Sequence, residues 1–186
     1  MIRRPFGGVH GSRRRDHKSR PTFPHCGSLE YMSKEFLRHT LATLAYRAGK
    51  TLRGVGDEFG SYKADPTSRS PDEILAHMGD LLDWAQSIAS GTQEWHNSPP
   101  LPWAEGAARF HAALAAFDEY LASDAPMDAP AERIFQGAIA DALTHTGQLA
   151  MLRRMSGQPM KGENYYRADI ALGRVGKDQT PPKVEF

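Results

Sequence analysis

The stretch Ser70-Pro71-Asp72-Glu73-Ile74-Leu75-Ala76-His77-Met78-Gly79-Asp80-Leu81-Leu82-Asp83-Trp84-Ala85 decides the fold. It opens with a helix start: the Ser70 hydroxyl can accept from an orphan amide, Pro71 suits the first helical position, and Glu73 completes a capping box. Behind it Ile74, Met78, Leu81, Ala85 and Ile88 recur at helical spacing until Ser90-Gly91. A helix with one apolar face needs partner surfaces, so the same period is sought on either side.

Upstream, Phe36, Leu37, Leu41, Leu44, Ala45, Ala48, Leu52 and Val55 predict a first helix from Ser33, closed by Gly54, Gly56 and Gly60. Downstream, residues 92–101 form a connection without period. A third helix opens near Pro102 and carries Ala107, Phe110, Leu114, Phe117 and Leu121. After the break Asp124–Pro130, a fourth helix spans roughly residues 131–156, with Ile134, Ala138, Ala142, Leu149 and Leu152 inward and Gly157 and Pro159 as its stop. Four amphipathic helices without a convincing strand predict an all-α four-helix bundle. Residues 160–176 are expected to add a short helix around Tyr165–Ala171, and residues 177–186 a flexible tail.

The chain has 186 residues, 40% of them hydrophobic and 24% charged, which suits one domain with a packed core. No apolar run approaches the roughly 18 residues of a membrane span. The single cysteine, Cys26, excludes an intramolecular disulfide or a multi-cysteine zinc knuckle and fits a reducing compartment. Residues 1–31 hold seven basic against two acidic residues, whereas the remainder holds 16 basic against 20 acidic. This leader is rich in Gly, Pro, Arg and Ser and lacks both hydrophobic period and the apolar stretch of a secretory signal, so it is expected to be disordered. A second reading makes Met32 the true start. The expected domain is residues 32–176, cytoplasmic, with neither a nucleic-acid nor a membrane partner, because an acidic domain lacks the footprint of a nucleic-acid-binding core.

Some polar residues fall on apolar stripes. His77 shares a face with Ile74, Met78 and Leu81, and Asp141 and His145 share an arc with Ile134, Ala138 and Leu152, about 6 Å apart along the axis. A buried carboxylate must be hydrogen-bonded, charge-paired or bound to a cation. His77, Asp141 and His145 from two helices make a three-ligand set for a divalent transition metal, as bundles commonly build. The alternative is a core histidine beside an intrahelical Asp141–His145 hydrogen bond. Gln148 can hydrogen-bond a metal ligand or a bound water, or simply pack beside Gly147. Arg153 and Arg154 suit the dipole of the last turn. His39 and His111 are expected at the surface, and Trp95 and His96 either near the metal or exposed.

The string Ile74-Leu-Ala-His77-Met-Gly-Asp-Leu-Leu-Asp-Trp84 resembles the first histidine motif of the DinB/YfiT-like superfamily, and Asp141-Ala-Leu-Thr-His145-Thr-Gly-Gln148 resembles its late motif. The likeness covers residues 33–157. It implies a DinB-like four-helix bundle, often dimeric, holding a divalent metal (zinc, nickel, manganese or iron) on His77, a middle ligand and His145. The family commonly has histidine at the middle position, where this chain has Asp141. Family members include S-transferases using low-molecular-weight thiols, an isomerase and hydrolases. The resemblance therefore implies a small-molecule substrate and a thiol or water activated on the metal, the thiol coming from a cosubstrate. The rival class is a non-catalytic metal-binding or dimerising bundle with a stress-related role.

Overall fold

Cys26–Leu52 forms the first helix, α1, which begins ahead of Ser33. The computed structural model describes residues 26–186, and the leader's residues 1–25 lie outside them. The assignment of residues 26–31 to the leader is corrected: they are the opening turns of α1. No proline follows Pro24 there, and Leu29, Glu30 and Met32 are good helix formers. Helix α2 spans Pro71–Ala89 and α3 spans Trp103–Ala122. The fourth rod is α4 (Ala131–Ile134), a π-helical segment (Phe135–Ile139) and α5 (Ala140–Met155). The all-α four-helix bundle is thus observed, with no strand among the described residues beyond one isolated bridge. No described helix is long and apolar enough to cross a membrane.

The capping box at the head of α2 forms as its sequence requires. Ser70 Oγ accepts from the Glu73 amide at 3.3 Å, and Glu73 Oε2 accepts from the Ser70 amide at 2.6 Å. Gly157, just past the end of α5, has φ +79°, the left-handed conformation that ends helices.

The helices pack as a square in which α1 and α2 both touch α3 and α5, so α1 lies diagonally from α2. The 53–70 connection makes that diagonal crossing possible, and it places α2 beside the fourth rod. Leu41, Met78, Phe110, Leu114, Phe117 and Ile134 fill the centre and are fully buried. At about 1.5–3 kcal/mol each, such side chains supply the main favourable term of folding. Phe36, expected on the inner face of α1, is 58% exposed and instead lies against Phe135, ring centroids 6.3 Å apart.

Arg153 does not serve the dipole of its own helix. Its guanidinium reaches across to the C-terminus of α1, where Nη1 donates to the carbonyls of Lys50, Thr51 and Arg53 at 3.2, 3.1 and 2.9 Å. These are carbonyls that a helix end leaves unpaired. Nε donates to Gln158 O at 3.0 Å, which also fixes the turn after α5. Burial lowers the pKa of this arginine, yet guanidinium stays charged at any ordinary pH. Arg154, by contrast, is exposed and bonds only within its own helix.

The C-terminal residues 177–186, expected to be flexible, are tied down. Gly162 and Phe186 exchange two backbone hydrogen bonds of 3.1 Å around the Glu163–Glu185 bridge. Lys50 Nζ meets Glu163 at 2.9 Å and Glu185 at 2.8 Å, and Tyr46 Oη donates to Glu163 at 2.6 Å. The expected short helix near residue 165 is a single 3-10 turn, Tyr165–Arg167. Tyr165 packs edge-on to Tyr46, whereas Tyr166 faces solvent.

Replacing Arg153 with Ala leaves four carbonyls short of a donor at a buried helix junction and should cost about 2–4 kcal/mol in urea unfolding. Arg154→Ala should change stability by less than about 0.5 kcal/mol. Equal effects of the two would contradict the capping role.

Candidate metal centre

The seam between α2 and α5 carries a polar cluster. On α2, Ile74 and Met78 are buried, and His77 stands beside them at the edge of the core with its side chain 22% exposed. On α5, His145 is buried, while the Asp141 side chain is 46% exposed. Asp141 is therefore not an inward residue as the helical wheel predicts. The wheel from Ile134 runs straight through residues 135–139, where the backbone makes a wider π turn. Beyond it Ala142, Thr146 and Leu149 take the inner positions. Such turns recur at functional sites, and this one sits directly ahead of Asp141.

The three side chains nevertheless converge. Asp141 Oδ2 lies 3.5 Å from His77 Nε2, and Asp141 Oδ1 lies 3.5 Å from His145 Nε2. The two imidazoles stand perpendicular with centroids 4.9 Å apart. One donor atom from each residue lies within 4.8 Å of the others. A separation of 3.5 Å is long for a hydrogen bond. It is close to the roughly 3.3–3.4 Å edge of a tetrahedron whose centre is 2.0–2.1 Å from nitrogen or oxygen, the bond lengths of zinc. The three groups could hold a metal ion.

Protonation suits the same reading. His145 Nδ1 lies 2.8 Å from Gln148 Oε1, an acceptor, so Nδ1 donates there and Nε2 is the ring atom that faces Asp141. Gln148 itself is exposed and acts through the imidazole. Burial holds the His77 pKa below its ordinary value, helped by the nearby His145 and Arg69 and partly opposed by Asp141. The neutral imidazole that results is the form that ligates.

Trp95 stands edge-on to His77, with centroids 5.7 Å apart, and Trp84 backs Trp95 at the same distance. The connection 92–101 therefore folds back over α2, and Asp80 holds it there. Asp80 Oδ2 accepts from the Ser98 amide at 2.8 Å, and Oδ1 accepts from Arg109 Nη2 at 2.7 Å. His96 is drawn to Asp80 and Asp83 at 3.1 and 3.3 Å rather than to the triad. Asp80, Asp83 and His96 form a second cluster of ligand-type groups, but the Arg109 guanidinium already fills it, meeting Asp83 at 2.8 Å and Ala76 O at 2.9 Å. Gly79 makes that approach possible, because a Cβ there would collide with Arg109 Nη1. The sequence signal for this network is Asp80 on the flank of the apolar stripe. Pairing it with Arg109 requires knowing that α2 lies against α3. His111, expected at the surface, is half-buried beneath the C-terminal segment, its Nδ1 3.3 Å from Val175 O.

Beside His145 opens a cleft of about 660 Å³, with Ile74, Met151 and Leu152 as its apolar wall and Arg69, Thr144 and Gln148 among its polar residues. Comparison with family models, with curated proteins and with solved structures finds no match in any of the three.

Burial alone would raise the Asp80 carboxyl, but hydrogen bonds from Ser98 and the Arg109 guanidinium hold it below the usual carboxylate value. Its contribution to stability is therefore present above the unfolded pKa of about 3.9 and is lost as pH falls through the lower folded value. Asp80→Asn should lower the urea midpoint fully at pH 7, with the difference from wild type shrinking below about pH 4. A difference that is independent of pH would contradict this role for the carboxylate.

Proposed function

We propose that this chain is a divalent-metal-dependent protein of the DinB/YfiT-like kind, an S-transferase or hydrolase acting on a small electrophile at the mouth of the bundle. The observation that carries this reading is the convergence of His77, Asp141 and His145 beside an open cleft. The first and last motif residues of the resemblance, His77 and His145, meet across the α2–α5 seam, and the divergent middle residue, Asp141, stands between them.

The residues have separable duties. His77 and His145 offer Nε2 atoms, and Asp141 offers a carboxylate that would offset one unit of the ion's charge. Gln148 orients the His145 ring by accepting from Nδ1. Trp95 stands edge-on against the His77 ring. A zinc, nickel, manganese or iron ion held there would lower the pKa of a coordinated thiol or water. Ile74, Met151 and Leu152 would seat the apolar part of the electrophile next to His145. The thiol nucleophile of this reading is a low-molecular-weight cosubstrate.

Full-length protein incubated with zinc and desalted should retain one equivalent by elemental analysis, and the His77→Ala/His145→Ala double variant should retain none. Gln148→Leu should keep the site and weaken zinc binding by roughly 10–100-fold. The loaded protein should accelerate thioether formation between glutathione and a haloarene, or ester hydrolysis, and the double variant should do neither. No retained metal in the wild type would overturn the proposal. Metal without either activity would favour the non-catalytic bundle.

A further inference from the structure

We infer that the cleft beside His145 selects a small molecule with an apolar body and a carboxylate, and that Arg69 receives the carboxylate. The inference rests on reading that cleft as the substrate side of the metal centre, and it names the substrate class.

The cleft has two unlike parts. Ile74, Met151 and Leu152 form its apolar wall, and Met151 is 58% exposed although it is large and hydrophobic. No carboxylate lines the cleft, and the charged side chain on its wall is that of Arg69. Within a domain that carries more acidic than basic residues, this is a local reversal of charge. Arg69 makes no hydrogen bond or ion pair among the described residues, so its five donors are uncommitted.

The backbone that carries it is fixed, while the side chain itself is exposed. Arg69 immediately precedes Ser70, whose backbone amide and hydroxyl are both engaged in the capping box. The preceding turn is closed by the Ser68 amide on Asp65 O at 2.9 Å and by Lys63 Nζ on Ser68 O at 3.1 Å. The nearest acidic residue at the head of α2 with a cation partner, Glu73, is taken by Lys63 at 3.2 Å and does not neutralise Arg69. Arg69 also lines the smaller recess that contains His77, together with Glu73 and Asp80. A guanidinium in that place matches a planar carboxylate bidentately. A phosphate dianion carries a second negative charge, and the cleft wall offers one cation.

The test is calorimetric titration of the full chain with 4-phenylbutyrate, its uncharged amide, acetate and 3-phenylpropylphosphonate, each in chelator-treated and zinc-loaded protein. The acid should bind with one-to-one stoichiometry in both forms. The amide should bind roughly 10-fold or more weakly, and acetate more weakly still. Arg69→Gln should reduce binding of the acid to that of the amide, leave the amide unchanged, and leave the urea midpoint unchanged because Arg69 holds no structural bond. No binding of the acid, equal binding of acid and amide, or a wild-type response from Arg69→Gln would overturn the inference. Tighter binding of the phosphonate would do the same by assigning the anion to phosphate chemistry. Dependence on Arg69 in a chain that retains no zinc would leave the carboxylate subsite standing while the metal reading fails. Zinc binding without dependence on Arg69 would separate the two in the other direction.

Discussion

The packing of α2 along the fourth helical rod is the constraint on which the site depends. His77 is carried by one element and Asp141 and His145 by the other, and no local interaction along either helix could bring the three together. The square arrangement supplies the contact by setting α1 diagonally from α2, so that Ile74 and Met78 belong to the same buried core as Ile139 and Ala142. Arg153 fixes the same rod at its far end by closing the C-terminus of α1. The polar groups at the seam are thus positioned by apolar packing and by a buried guanidinium that substitutes for water at a helix end.

The π turn decides how the fourth rod presents its side chains. An unbroken α-helix from Ala131 would place Asp141 on the stripe shared by Ile134 and Ala138. The wider turn at Phe135–Ile139 adds Thr146 to the inner stripe beside the expected Ala142, His145, Leu149 and Leu152 and leaves Asp141 half-exposed at the edge. An exposed edge lowers the cost of an ionised carboxylate while keeping it beside two imidazoles. Of the three residues, His145 also lines the cleft.

Much of this was legible in the sequence, where the signal was local. The capping box, the glycine stops and the period of the apolar residues identify α2, α3 and the bundle, and His77, Asp141, His145 and Gln148 stand out because polar groups interrupt that period. What the sequence withheld was non-local. Nothing in the order of residues pairs Arg109 with Asp80, or sends Arg153 to the end of α1 rather than to its own helix. The π turn carries no compositional mark that distinguishes Phe135–Ile139 from an ordinary helical run. The C-terminal segment reads as loose because Pro181-Pro182 and its charges show no period, yet Lys50 and Tyr46 anchor its neighbour Glu163 from a helix far away in sequence.

The central claim is that one divalent ion is shared by His77, Asp141 and His145. X-ray absorption of the zinc-loaded full chain tests it most directly, because the outer-shell scattering of imidazole counts the histidine ligands. The account expects two imidazoles and light oxygen donors at about 2.0–2.2 Å, with one imidazole lost in His77→Ala. A zinc shell without imidazole scattering, or one unchanged by that substitution, would contradict it.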